Sequence, residues 1–209
     1  MANWALVTYK CVCKDEEQAK ELIGILDELK DMDKPYAEND FGNLWMGCLV
    51  VRLGGEPFKG GIVGTHNGAR EIRCRGEIFS DYEREGNIVT MITEQAWTEQ
   101  ESFRHFVESK FEGMKMYYLC DESNEGIYCS NDADGKFFHN EYWLDFNDKD
   151  PEYFDSIEDA AKFVGNLVGR EVKPTTEDIE AAIEDYQEAN DYSDESWMSL
   201  HGDLTIIDD

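Results

Sequence analysis

The stretch Ser130-Asn131-Asp132-Ala133-Asp134-Gly135-Lys136-Phe137-Phe138-His139-Asn140-Glu141 has the densest spacing of metal-type ligands in the chain. Set against the calcium loop of an EF-hand, Asp132 stands at position 3, Asp134 at 5, Gly135 at 6 and Glu141 at 12. Calcium takes several oxygens, with glycine at the sharp turn and a bidentate glutamate closing the loop. Position 1, normally Asp, is Ser130, and the flanks GIYC and YWLDF read as strands rather than helices. The plainer reading is an Asp-Gly hairpin turn.

Arg70, Arg73 and Arg75, with Lys59 and His66 upstream, form the one basic cluster. On a strand Arg73 and Arg75 share a face. They could grip a phosphate or a partner's carboxylates. The plainer expectation is pairing with the chain's own Glu71, Glu77, Asp81 and Glu83. Gly54-Gly55, Gly60-Gly61, Gly64 and Gly68 invite a phosphate-loop reading. No Gly-Lys-Ser/Thr follows them, so a loop insertion is the better account. The histidines at 66, 105, 139 and 201 are scattered, and Gly-x-Ser-x-Gly is absent. The reading therefore names no catalytic residue and no cofactor, and leans away from an enzyme. An enzyme site on a sheet face or in the glycine-rich insertion stays open, because such sites assemble in space.

Charge is the strongest global feature. The 209 residues carry 47 acids and 19 bases, a formal net charge of −28. Residues 1–98 hold 17 acids and 11 bases, a net of −6, and residues 99–209 hold 30 and 8, a net of −22. From Thr176 onward there are 12 acids and no Lys or Arg. This balance argues against direct contact with nucleic-acid phosphates or an anionic membrane surface. The bland account is a solvated face that keeps the chain soluble. The sharper one is a nucleic-acid mimic: Glu177, Asp178, Glu180, Glu184, Asp185 and Glu188, on one helix, would enter a groove evolved for phosphates on a basic protein partner. No stretch is apolar enough to span a bilayer, and no basic region opens a secretory signal. Six cysteines without a Cys-x-x-Cys pair fit a reducing cytoplasm, and Cys11 and Cys13 read as buried thiols on one strand face.

The elements that must position these residues follow from periodicity. Residues 2–13 read as a strand. Asp15 caps a helix with the stripe Ala19, Leu22, Ile23, Leu26 and Leu29. LWMGCLVV (44–51) is either strand or buried helix. Residues 71–79 and 88–93 read as a hairpin about Glu85-Gly86-Asn87. Thr98 opens a helix with Phe103, Phe106, Val107 and Phe111 inside, followed by a strand over 114–120. Strands are expected at 127–129 and 136–146. Ser156 and Thr176 cap two closing helices, and Gly169 stops the first. The apolar residues of 191–209 predict that part of this segment docks. Without the insertion, the first six elements read βαββαβ, the split βαβ unit.

Several of these residues resemble a family. Met1-Ala2-Asn3-Trp4, Thr93-Glu94-Gln95-Ala96-Trp97, the helix Phe103–Phe111, Tyr117-Tyr118-Leu119-Cys120-Asp121-Glu122 and Glu125-Gly126 are similar to corresponding parts of the YubB-type ferredoxin-like proteins of phages, plasmids and other mobile elements. Thr98-Glu99-Gln100 stands where that family often has Ser-Pro-Pro. The resemblance implies the fold and a mobile-element origin, and no activity.

The expectation is thus an α+β protein. A ferredoxin-like domain covers 1–150, an antiparallel sheet with helices on one face and an insertion at about 35–68. An acidic helical extension, 151–209, packs on it. The expected role is non-catalytic binding of a basic protein surface, with a calcium module on the 130–141 loop and an enzyme of unknown class as the alternatives.

Overall fold

The computed structural model describes residues 3–57, 64–67, 70–122, 126–138, 142–146, 150–190, 198–202 and 204–208. It is an α+β chain that divides into two compact units, Met1–Asp132 and Ala133–Asp208.

In the first unit, β1 (Trp4–Val12) pairs along its length with β7 (Ile88–Ala96) on one side and β8 (Lys115–Glu122) on the other. The far edge of β7 takes β5 (Gly76–Ile78) and β6 (Glu83–Glu85), and β8 takes β9 (Ile127–Ser130). The order is β9-β8-β1-β7-β5, and each of these pairings is antiparallel. Strict alternation aims Ala5, Val7, Tyr9 and Cys11 inward. They join one core with Leu22, Leu26 and Leu29 of α1 (Glu16–Lys30) and Phe103 and Val107 of α3 (Glu101–Lys110). Asp15 caps α1 as its spacing predicts, its carboxylate accepting from the Gln18 N–H at 2.9 Å.

The ambiguous run 44–51 resolves as α2 (Met46–Arg52), whose Met46, Cys48, Leu49 and Val50 are buried in that core. Helix wins because its start is anchored: the Trp45 indole N–H donates to the Cys74 carbonyl at 2.6 Å. The insertion continues as β2 (Glu56–Pro57) and β3 (Gly64–Asn67), which build a small sheet with β4 (Arg70–Arg73). The expected single strand over 71–79 is therefore two strands in two sheets. The break falls at Cys74-Arg75, and the second strand opens on Gly76, where an added Cβ would collide with the Glu94 carbonyl oxygen. Only glycine lets the chain approach β7 this closely there. The hairpin about Gly86 is present, with φ +57 at that glycine, but its first arm is β6.

In the second unit, β10 (Tyr142–Phe146) is flanked by β11 (Glu152–Phe154) and β12 (Met198–His201). Leu144, Phe146, Phe154 and Met198 form a separate core with α4 (Ile157–Val168) and α5 (Thr176–Ala189). A short β13 (Thr205–Ile206) follows. The division at 132/133 precedes the expected boundary at 150, because β10 pairs with β11 and β12. The 198–201 segment docks here, while Trp197 lies outside the described residues. Ser156 and Gly169 bound α4 as expected, Gly169 at φ +72. The cap of α5 is Thr175 rather than Thr176, its hydroxyl accepting from the Asp178 N–H at 3.2 Å.

Candidate functional site

The first unit carries a pocket of about 470 Å³ where β4 and β5 meet the β7–α3 turn. Arg73 and Arg75 line one side, and Trp97, Thr98, Glu99 and Gln100 the other. The turn is held by buried polar groups. Gln95 donates through Nε2 to the Tyr9 hydroxyl (2.9 Å) and to Thr93 Oγ1 (2.8 Å), and its Oε1 accepts the Gln100 N–H (2.7 Å). Tyr9 in turn donates to Glu99 Oε1 at 2.9 Å. Arg104 Nε donates to the same oxygen at 3.1 Å, with both side chains almost fully buried. Burial and the nearby Glu99 carboxylate push the Tyr9 hydroxyl well above its ordinary pKa.

The expected start of the helix is corrected here: α3 begins at Glu101 with Gln100 as its cap residue, not at Thr98, because Gln100 takes φ −100 and ψ 84, outside the helical region, and its N–H is held by Gln95 Oε1. The chain turns through Trp97, which takes φ +74 and leaves the indole 48% exposed. A bulky side chain in the left-handed region is strained, and such strain clusters at functional sites.

The same turn fixes the arginine segment. Gln100 clamps the Arg75 backbone, accepting its N–H at 3.0 Å and donating to its carbonyl at 2.8 Å. Ser102 Oγ accepts the Arg73 N–H at 2.9 Å. The expected pairing with Glu71, Glu77, Asp81 and Glu83 does not occur: among the described residues, Arg70, Arg73 and Arg75 make no ion pair. The Arg75 guanidinium instead lies 5.7 Å from the Trp4 ring centroid. Arg70 is exposed on β4 and does not line the pocket. Lys59 lies outside the described residues.

Next to the turn, Thr98 Oγ1 sits 3.8 Å from Cys120 Sγ, and Cys120 faces Cys129 across β8 and β9. A hydrogen bond from Cys120 to Cys129 raises the first thiol's pKa and lowers the second's. All six cysteines are free and buried.

The loop after β9 does not assemble a cation site among the described residues. Asp132 is 1% exposed whereas Asp134 is open to solvent, and Glu141 lies outside the described residues. No group of three or more His, Cys, Asp or Glu among the described residues could hold a metal ion. Nor is the loop the hairpin turn expected, since β9 and β10 belong to different sheets. The glycine-rich insertion is described only in part; Gly60, Gly61 and Gly68 lie outside.

On α5 the six acidic residues separate into two groups. Asp185 accepts from Arg170 Nη2 at 2.6 Å. Asp178 accepts from the Thr175 hydroxyl at 2.9 Å and from Lys173 at 3.4 Å, and the Thr175 bond chiefly holds its pKa below the ordinary carboxylate value. Glu177, Glu180, Glu184 and Glu188 are exposed and make no ion pair with a described residue. At 100° per residue they fall on one narrow stripe opposite Ile179, Ala182 and Ile183.

Compared with family models, curated proteins and solved structures, the chain has no match. Among the described residues, no helix is long and apolar enough to cross a membrane.

The sequence presented Arg73, Arg75 and Trp97 as unrelated features. It did not point to Gln95, Glu99, Gln100 or Arg104 as a connected group. The one available signal was four consecutive polar positions after Trp97, Thr98-Glu99-Gln100-Glu101, which read as a helix cap.

Proposed function

We propose that this protein is a non-catalytic acidic interaction module of mobile-element type, built on a ferredoxin-like unit, that binds a basic protein surface through α5. The observation that carries the reading is the stripe Glu177, Glu180, Glu184 and Glu188, without an ion pair among the described residues, on a helix whose other face is committed to a core. The four residues span about 16 Å of helix rise. They are held on a folded element, so presenting them to arginines or lysines costs less ordering entropy than a disordered acidic tail would. The net charge of −28 adds a long-range field that speeds encounter with a basic partner.

The fold assignment is supported by strand order. With β5 as the second strand, the four strands of the βαββαβ unit run β8-β1-β7-β5, with α1 after β1 and α3 after β7. That order supports the split βαβ reading. The mobile-element origin rests on the resemblance carried by Thr93–Trp97 and Tyr117–Glu122.

The test is affinity capture from bacterial lysate at low salt, with the wild-type chain and with E177Q/E180Q/E184Q/E188Q. The wild type is expected to retain one defined basic protein, which the variant does not retain and which salt releases. Recovery of no basic protein, or equal recovery by the variant, refutes the reading.

A further inference from the structure

We infer that the pocket between Arg73, Arg75 and Trp97 binds a free mononucleotide. In a chain with 47 carboxylates, arginines are expected to find internal partners, yet Arg73 and Arg75 pair with none among the described residues. They are also not free to wander at the backbone, because Gln100 and Ser102 hold residues 73 and 75 by three hydrogen bonds. Two guanidiniums on a fixed backbone suit a dianionic phosphate, which accepts several charge-assisted hydrogen bonds at once.

Trp97 supplies the second half of the recognition. Its indole is half exposed and lines the same pocket, and its backbone is kept left-handed by the network beneath it. An open indole beside cations offers a stacking platform for a base. Glu71 and Glu101 also line the pocket. They would repel a bare phosphate and accept hydrogen bonds from ribose hydroxyls or an exocyclic amine. Glu99 adds no such repulsion, because Arg104 neutralises it from below. A ligand that satisfies all of these groups carries phosphate, a planar ring and hydrogen-bond donors together. The volume of about 470 Å³ falls within the range of small-molecule sites. The charge of −28 opposes a long polyanion far more than a single nucleotide, which favours the free nucleotide over a nucleic-acid end.

Calorimetric titration of the full chain with AMP, GMP, CMP and UMP tests the proposal, with adenosine, inorganic phosphate and a 5′-phosphorylated oligonucleotide as comparison arms. At least one mononucleotide is expected to bind saturably. R73Q/R75Q, and separately W97G, which keeps the left-handed backbone, should each weaken that binding by about tenfold or more. If R73Q/R75Q does not fold, the wild type decides. The nucleotide must then shift the indole NMR signal of Trp97, assigned by its absence in W97G, and leave that of Trp143 unmoved. No saturable binding at millimolar nucleotide overturns the proposal. So do full affinity in a folded R73Q/R75Q, equal binding of inorganic phosphate, or tighter binding of the oligonucleotide.

Discussion

Glu99 and Arg104 form an ion pair at 3.1 Å with side chains only 5% and 2% exposed, beside the buried Gln95 and Gln100. Tyr9 donates to the same Glu99 oxygen, so one carboxylate organises groups from β1, the β7–α3 turn and α3. Removing one charge strands the other in low dielectric. Arg104→Met is expected to destabilise the first unit by about 3–5 kcal/mol. The double change Glu99→Gln with Arg104→Met should cost less than Arg104→Met alone. Urea denaturation of the three proteins checks this, and an equal loss in both variants would show that the pair is not the cause.

Trp97 has φ +74, a value glycine tolerates and alanine does not. Both Trp97→Gly and Trp97→Ala delete the same indole, so their difference isolates the backbone. Trp97→Gly is expected to be the more stable by about 1 kcal/mol. Thermal or urea unfolding of the two variants measures it.

Glu77 stands directly across from Glu94 in the β5–β7 ladder. Burial, and then the Glu94 charge, raise the Glu77 pKa above its ordinary value. A group with a raised folded-state pKa stabilises the fold while protonated. That contribution is present below the ordinary carboxyl pKa and is lost as pH rises through the raised value. Glu77→Gln should therefore gain about 0.2–1 kcal/mol at neutral pH and flatten the stability profile through the mildly acidic range. Denaturation midpoints from pH 4 to 7, on the order of the carboxyl titration range, check both effects.

The six thiols divide by environment. Burial pushes Cys13 up to about 11 and Cys74 up to about 12, and Cys11 is raised further still. Cys129 alone is lowered, by its bond from Cys120. Brief labelling of the native protein with iodoacetamide at mildly alkaline pH should mark Cys129 first and the others slowly, with all six reacting after denaturation. Peptide mass spectrometry reads the order, and prior labelling of Cys11 or Cys74 would contradict it.

Local physics made much of the chain legible. The Asp15 and Ser156 caps, the Gly169 stop, the strand over 2–13 and the stripes of α1 and α3 are short-range effects of hydrogen bonding and apolar spacing. The division of charge between the two halves is likewise a property of composition. Local patterning gave way where a distant partner decided. The run 71–79 is interrupted at Cys74-Arg75, where Gln100 of the β7–α3 turn takes both the N–H and the carbonyl of Arg75. α3 starts at Glu101 rather than after Thr98 because the chain is left-handed at Trp97 and non-helical at Gln100, whose N–H is held by Gln95.

The site shows the same split. The amino-acid sequence alone determined that Arg70, Arg73 and Arg75 form the basic cluster and that Glu177, Asp178, Glu180, Glu184, Asp185 and Glu188 lie on one helix. It could not determine which charges would be spent internally, because ion pairing depends on angstrom-scale distances across elements. Tertiary structure settled that. It used Asp178 and Asp185 within the second unit, buried Glu99 on Arg104, and left Arg73 and Arg75 without an ion pair among the described residues, beside a strained, exposed Trp97.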